Sequence, residues 1–399
     1  MAPITPSPYN VTFVEDGLPP GTYWSVTFNG ETLGSTSPSI TFRAYNGTYN
    51  YKIVSVSGYL STPSFGSITV NNTFVTQTIT FFIISSNIIY AGYYLYPAYI
   101  DQIYPKTMTL VNTFTAPSGH VNLDTLIYDG TYIYAGYWTS PGYIDQIDPI
   151  TMTLVKTFTA RHNGVRSLTY DGTYIYAGYN TSPGIVDQID PTTMTVVKTF
   201  TAPTGHFVVL GLFYDGTYIY AGYSGSPGIV DQINPSTMTL VKTYTSINSF
   251  GTLTYDGTYI YVGYNTAPGV IDQINPSTMT LVKTFTAPSG HNSVISLIYD
   301  GTYIYAGYYT TPGYVDQINP KTMTLVKTFT APSGHVWVYS LTYDGTYIYA
   351  GYYINPGIVD QIDPSTMTLM KTFIAPFGHN EVVSLTQNKI KGNNYAVFK

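Results

Sequence analysis

The stretch SLTYDGTYIYAGYNTSPGIVDQIDPTTMTVVKTFT, residues 167–201, holds four short extended segments separated by turn signals. Segment a, Ser167 to Tyr170, runs into Asp171-Gly172-Thr173, and segment b, Tyr174 to Tyr179, is apolar or aromatic on both faces. Segment c, Gly184 to Ile189, ends at Asp190-Pro191, and segment d, Thr195 to Thr201, mixes polar with apolar side chains. A run apolar on both faces suits a strand covered from both sides. Polar residues interrupting segment d suit an outer edge that discourages pairing with another chain. Asp-Gly is a strong hairpin signal, expected here as a type I′ turn with both central residues at positive φ, and Asp-Pro-Thr suits a type I turn.

Outward from this unit the pattern repeats. The Asp-Gln pair of segment c recurs at Asp101, Asp145, Asp187, Asp231, Asp272, Asp316 and Asp360, at intervals of 41 to 44 residues. Four strands per unit at such a period read as a β-propeller with one unit per blade, so seven marks predict seven blades. The first unit lacks Asp-Gly at Ser86-Asn87-Ile88, while a surplus segment a, Val382-Val383-Ser384-Leu385, follows the seventh. The expectation is an all-β chain: a seven-bladed β-propeller over residues 85–399, its first blade completed by the C-terminal strand. Lys389 to Lys399 is left as a further strand or a tail. The Asp-Gln pairs are expected to hydrogen-bond between blades.

Residues 1–84 form a separate unit. In Tyr23 to Phe28, Trp24, Val26 and Phe28 share one face and Ser25 and Thr27 the other, the pattern of a half-buried strand. With turn signals at Asn29-Gly30 and Asn46-Gly47, this region reads as a small antiparallel β-sandwich that serves for attachment. Val11 to Pro19 together with Tyr45-Asn46-Gly47-Thr48-Tyr49 resembles Ig-like or PEGA-like modules of surface proteins from acidophilic archaea. The "YIYAGY" strand and the "VDQIDPTTMTVVKTF" hairpin resemble the YVTN and NHL-type propellers of archaeal surface-layer and secreted proteins. That resemblance implies an extracytoplasmic scaffold or binding role and brings no catalytic motif.

Composition narrows the function. Only 9% of residues are charged, 43 are Tyr and none is Cys, so hydroxyls and amides carry the surface. Few carboxylates means few ionic interactions to lose in acid, which makes an acid-stable protein of an acidic habitat the expectation. The net charge of -6 comes without a basic run, which argues against nucleic acid. No stretch reaches the roughly 18 apolar residues of a membrane span. Sequons at Asn10, Asn46, Asn71 and Asn180 fit an exported glycoprotein, while the first residues lack a signal-peptide pattern, which a virion component accommodates.

In an up-and-down blade the a-b and c-d turns share one end, and here they are nearly constant. The b-c and d-a loops share the other end and vary, and variable loops on a rigid scaffold are where binding resides. Trp138, Arg161, Arg166, Phe207, Tyr309, Trp337 and Tyr353 are the candidate ligand-binding residues. Aromatic rings among Asn and Thr suit stacking on sugar faces, so a glycan is the expected ligand class; repeat drift without function is the plain alternative. His120, His162, His206, His291, His335 and His379 occupy equivalent d-a loops, as a candidate ring for a metal or anion or as a repeated loop cap.

Sixteen of eighteen Asp residues fall in repeated Asp-Gly, Asp-Gln or Asp-Pro positions, which argues against an asymmetric catalytic set. Only the neighbourhood of Arg161, Arg166 and Asp124 offers a candidate catalytic set. The expectation is a non-enzymatic, cofactor-free surface-binding protein, a fibre or spike of an archaeal virus that recognises a host-surface glycan or glycoprotein. Its N-terminal unit would join other virion or surface-layer proteins, and its location would be the virion surface or the cell exterior. A cellular adhesion or structural protein is the alternative, and an exported propeller lyase the third reading.

Overall fold

The computed structural model describes residues 7–56, 59–83 and 87–388, and in these the chain is all-β, with 36 strands and no helix. The boundary at 84/85 and the segment Lys389 to Lys399 lie outside the described residues. The strands form nine four-stranded sheets, of which seven, one per repeat and each wholly antiparallel, make an arrangement consistent with a β-propeller.

In repeats 2 to 7 the sheet order is the chain order a-b-c-d, as in Val165–Tyr170, Ile175–Tyr179, Ile185–Asp190 and Thr195–Thr201. Repeat 1 takes strands b, c and d from Ile89–Tyr93, Tyr99–Tyr104 and Thr109–Thr115, and its strand a from Val382–Gln387, with Leu385 opposite Ala91. Strand a of each sheet packs against strand a of the next, and that of repeat 1 touches those of repeats 7 and 2.

Strand b is buried at every position in all seven sheets, because neighbouring sheets cover both of its faces. That covering needs glycine. A Cβ at Gly178 would lie 2.4 Å from Val209 Cγ1 of the next sheet, and one at Gly136 would lie 2.6 Å from Val165 Cγ1. The Ala-Gly-Tyr of strand b is thus the imprint of close sheet-to-sheet approach.

Two rings of side chains bind each sheet to the backbone of the next. Gln146 Nε2 donates to Tyr134 Oη of its own sheet at 2.8 Å and to the Pro191 carbonyl of the next at 3.0 Å. The series ends with Gln361 donating to the Pro105 carbonyl at 3.0 Å, which joins repeat 7 to repeat 1. On the outer strands Lys156 Nζ reaches the Thr192 carbonyl and Lys371 Nζ the Lys106 carbonyl. The Gln half of the Asp-Gln pair therefore bonds one repeat's sheet to the next, as expected of it.

The Asp half faces its own sheet. Asp145 accepts from Thr157 Oγ1 at 2.7 Å and contacts His120 Nδ1 at 2.8 Å, with no side-chain exposure. Five of the six histidines make this contact at 2.8–2.9 Å, while His162 Nε2 stands 3.9 Å from Asp187. Repeat 5 has no histidine, and there Tyr264 Oη of its own sheet and Tyr244 Oη from the outer strand of repeat 4 both donate to Asp272 Oδ2 at 2.9 Å. Tyr244 stands where the other six outer strands carry Phe.

The Asp-Gly connections differ from the type I′ expectation. Strand a ends at Tyr170 and strand b starts at Ile175, leaving a four-residue loop in which Gly172 takes positive φ (97°) and Asp171 does not. Asp171 Oδ1 accepts from the N–H groups of Thr173 and Tyr174 at 2.7 Å each, and Oδ2 accepts from Tyr176 Oη. The side chain, rather than a second left-handed residue, closes the turn.

Strands from Tyr9–Asp16 to Val75–Ile83 form the other two sheets. Phe13, Trp24, Val26, Phe28 and Phe42 join both sheets in one buried cluster. Asn29-Gly30 is a two-residue turn with φ of 50° and 84°, placing Phe28 opposite Glu31. Two expectations are corrected. Asn46-Gly47 connects strands of different sheets and closes no hairpin, and Tyr9–Asp16 pairs with Val75–Ile83 in parallel, so this unit is not purely antiparallel. Thr62 Oγ1 and Ser64 Oγ donate to the carbonyls of Leu110 and Val111 at 3.3 and 2.8 Å, at the constant-turn end of repeat 1.

The repeat itself makes Tyr244→Phe look harmless, since Phe is the residue at the six sister positions. We predict that it destabilises the protein by about 1–2 kcal/mol, the cost of removing one donor from a buried carboxylate. Chemical denaturation of the variant checks this.

Candidate functional site

The seven innermost strands surround a cavity of about 500 Å³. Each of these strands carries a bulge one residue after its start, on the side of the b-c loops, at Asp124, Arg166, Leu210, Gly251, Ile295, Tyr339 and Val383. A bulge leaves one residue unpaired and re-aims its side chain. Of the seven bulge residues, Asp124, Arg166 and Tyr339 are polar, and all three line the cavity.

Asp124 and Arg166 sit on adjacent innermost strands, with Arg166 Nη1 3.0 Å from Asp124 Oδ2. Among the described residues this is the one ion pair of a carboxylate with Arg or Lys. Arg166 also lies 4.5 Å from the centroid of the Trp138 ring, within cation–π range. The Asp124 side chain is 9% exposed and that of Arg166 19%. Burial pushes the Asp124 carboxyl up to about 6, with Arg166 only partly offsetting it.

From this pair an aromatic arc runs around the rim. Tyr94 lies 6.3 Å from Trp138 and 6.4 Å from Tyr353; Tyr353 lies 5.1 Å from Tyr339 and 6.3 Å from Trp337. Trp337 stacks on Tyr309 at 5.0 Å with 11° between the rings. Burial, reinforced by the Asp124 charge, pushes the Tyr339 hydroxyl up to about 12, and Glu381 hydrogen-bonds Tyr353. Trp138 and Tyr309 remain 40% and 42% exposed, so the arc is open to solvent.

Backbone stitching holds these loops. The residue before each bulged strand accepts from the first b-c loop residue of its own sheet, as Asn122 does from Trp138 and Trp337 from Tyr353. At Asn122, Gly164, Ser293, Trp337 and Glu381 it also donates to the preceding sheet's loop, as Trp337 does to the Thr310 carbonyl at 2.9 Å. At this position Asn122, Gly164, Ser293, Trp337 and Glu381 take positive φ, between 53° and 60°. Asn and Gly sit there easily, but a bulky Trp337 costs about 1–3 kcal/mol of strain, of the kind found at ligand clamps.

Of the residues singled out in the sequence, Trp138, Arg166, Tyr309, Trp337 and Tyr353 come together at this end. Arg161 is exposed, and Phe207 stands 46% exposed beside Gly225; neither joins the ring contacts of the arc among the described residues. The sequence reading leaves Tyr94, Tyr339 and Glu381 out of the binding set, and names Asp124 only as part of a candidate catalytic neighbourhood with Arg161 and Arg166. The ring of histidines is corrected: none of the six lines the cavity, each turning to one Asp of strand c instead. Among the described residues no group of three or more His, Asp or Glu is placed to hold a metal.

No known family model matches the chain, and no curated protein matches its sequence.

The raised Asp124 acidity fixes the sign of a pH effect. The unfolded carboxyl, near 3.8, releases its proton before the folded one, near 6. Stability from this group is therefore fully present below about pH 4 and is lost as pH rises towards about 6. Asp124→Asn removes this slope, and the difference in thermal midpoint between variant and wild type should shift in the variant's favour across that interval.

Proposed function

We propose that this chain is a non-enzymatic surface-binding protein, built as a seven-bladed β-propeller behind a β-sandwich attachment unit, and that the b-c end of the propeller recognises a glycan. The observation that carries this reading is the arc of Tyr309, Trp337, Tyr353, Tyr94 and Trp138 beside the Asp124–Arg166 pair. Apolar sugar faces stack on such rings while their hydroxyls need nearby hydrogen-bonding groups. The Gln and Lys bonds that run from each repeat to the next, and from repeat 7 to repeat 1, support the propeller reading.

Most acidic side chains are committed elsewhere. Asp-Gln carboxylates bond Thr and His or Tyr, and Asp-Gly carboxylates close turns, which favours binding over hydrolysis or elimination. The N-terminal sheets attach at the opposite, constant-turn end. That layout suits the head of a virion fibre or spike that meets a host surface.

The test is binding of the full chain to an array of envelope glycans, beside a Trp138→Ala/Trp337→Ala variant. Saturable binding weakened about tenfold or more in the variant is expected, as for paired aromatic anchors. Binding that the double substitution leaves unchanged, or none at all, overturns the assignment.

A further inference from the structure

The ion pair at the cavity mouth is poorly matched in a way that points to a ligand. Arg166 has five N–H donors, and besides its face on Trp138 the structure gives it one polar contact, Nη1 to Asp124 Oδ2 at 3.0 Å. Among the described residues it is also the only cation lining the cavity, whose charged residues besides this pair, Asp129 and Asp300, belong to the Asp-Gly turns at the far end. A guanidinium only 19% exposed needs an anion, because a buried cation without a full partner is costly.

We propose that this mouth binds an acidic sugar whose carboxylate sits on Arg166, with Asp124 as an internal carboxylate competing for the same guanidinium. The inference rests on the glycan reading above and specifies its ligand. The cavity of about 500 Å³ suits one or two sugar rings. Trp138, fixed against Arg166, offers an exposed aromatic surface for the sugar face within reach of its acid group. The planar fork of arginine takes a carboxylate through two parallel N–H bonds, so an incoming acid offers more than the one contact Asp124 makes.

Competition makes the site respond to pH. Charged or titratable groups around Asp124 are Arg166 on the next innermost strand, Tyr94 from the b-c loop of repeat 1, and Tyr339 from the innermost strand of repeat 7. Glu381 lies farther along the arc, bonded to Tyr353. Burial raises both phenols, so they stay neutral as Asp124 titrates near 6. Below that pH Asp124 takes up a proton and its charge no longer competes; above it the carboxylate opposes the ligand. Affinity for the acidic sugar therefore rises as pH falls through about 6.

The experiment is titration calorimetry of the full chain with a glucuronic-acid-terminated disaccharide and its glucose-terminated counterpart, at about pH 4.5 and about pH 7.5. The sugar acid, with a pKa near that of an α-carboxyl, about 3.5, stays ionised at both. The acidic disaccharide is expected to bind about tenfold or more tighter at the lower pH, the worth of one charge-assisted contact, while the neutral one changes little. Asp124→Asn should bind the acidic sugar equally at both pH values, and Arg166→Gln should lose the preference for the acidic over the neutral sugar. Equal binding of both sugars at both pH values, lost in the Trp138/Trp337 variant, overturns this inference and leaves the glycan reading standing. No binding of either sugar overturns this inference, and a blank glycan array beside it overturns the glycan reading as well. The wild-type comparison needs no variant to fold.

Discussion

A four-stranded sheet whose second strand is apolar on both faces cannot be left uncovered on either side, and everything else in the repeats follows from that constraint. Tyr176, Ala177 and Tyr179 are buried only because the sheets before and after press on them. Apolar contact alone is non-directional, so the angular relation between sheets needs a polar gauge. Gln188 provides it, spanning Tyr176 of its own sheet and the Pro235 carbonyl of the next. A series of such bonds accumulates no free end, because Val382–Gln387 fills the place left beside Ile89–Tyr93 and Gln361 reaches Pro105.

Much of this was legible in the sequence, since repetition itself carries the information. The period, the four strands, the missing first strand and its replacement by Val382 to Leu385 could be read by aligning the units with one another. Side-chain substitutes for backbone geometry were harder to read. Asp171-Gly172 looks like two left-handed residues, yet the carboxylate caps two N–H groups and only Gly172 is left-handed. The histidines share one loop position, and sequence alone does not say that they turn to Asp rather than to a common centre.

The site was half legible for a different reason. Trp138, Arg166, Tyr309, Trp337 and Tyr353 stand out as bulky residues in variable loops, but Arg161 and Phe207 stand out equally and lie apart from the arc. Tyr94 meets Tyr353 across 259 positions only because repeat 7 is bonded to repeat 1. Tyr339 had a readable signal: it occupies the position just before segment a, the column that holds Asp124 and Arg166 in repeats 2 and 3. Its importance depends on the bulge, and a bulge leaves no residue signature of its own here.

That bulge also separates two kinds of sequence change. The groups that set each sheet against the next are Gln, Lys, the Pro carbonyl and glycine, and of these only Gly251 is a bulge residue. Asp124, Arg166, Leu210, Ile295, Tyr339 and Val383 therefore form six slots already filled by acid, base, phenol and aliphatic chains, whereas Gly251 is fixed, because a Cβ there would lie 2.3 Å from the Val294 carbonyl of the next sheet. A lineage can rewrite what the mouth recognises one slot at a time without renegotiating how the molecule holds itself together.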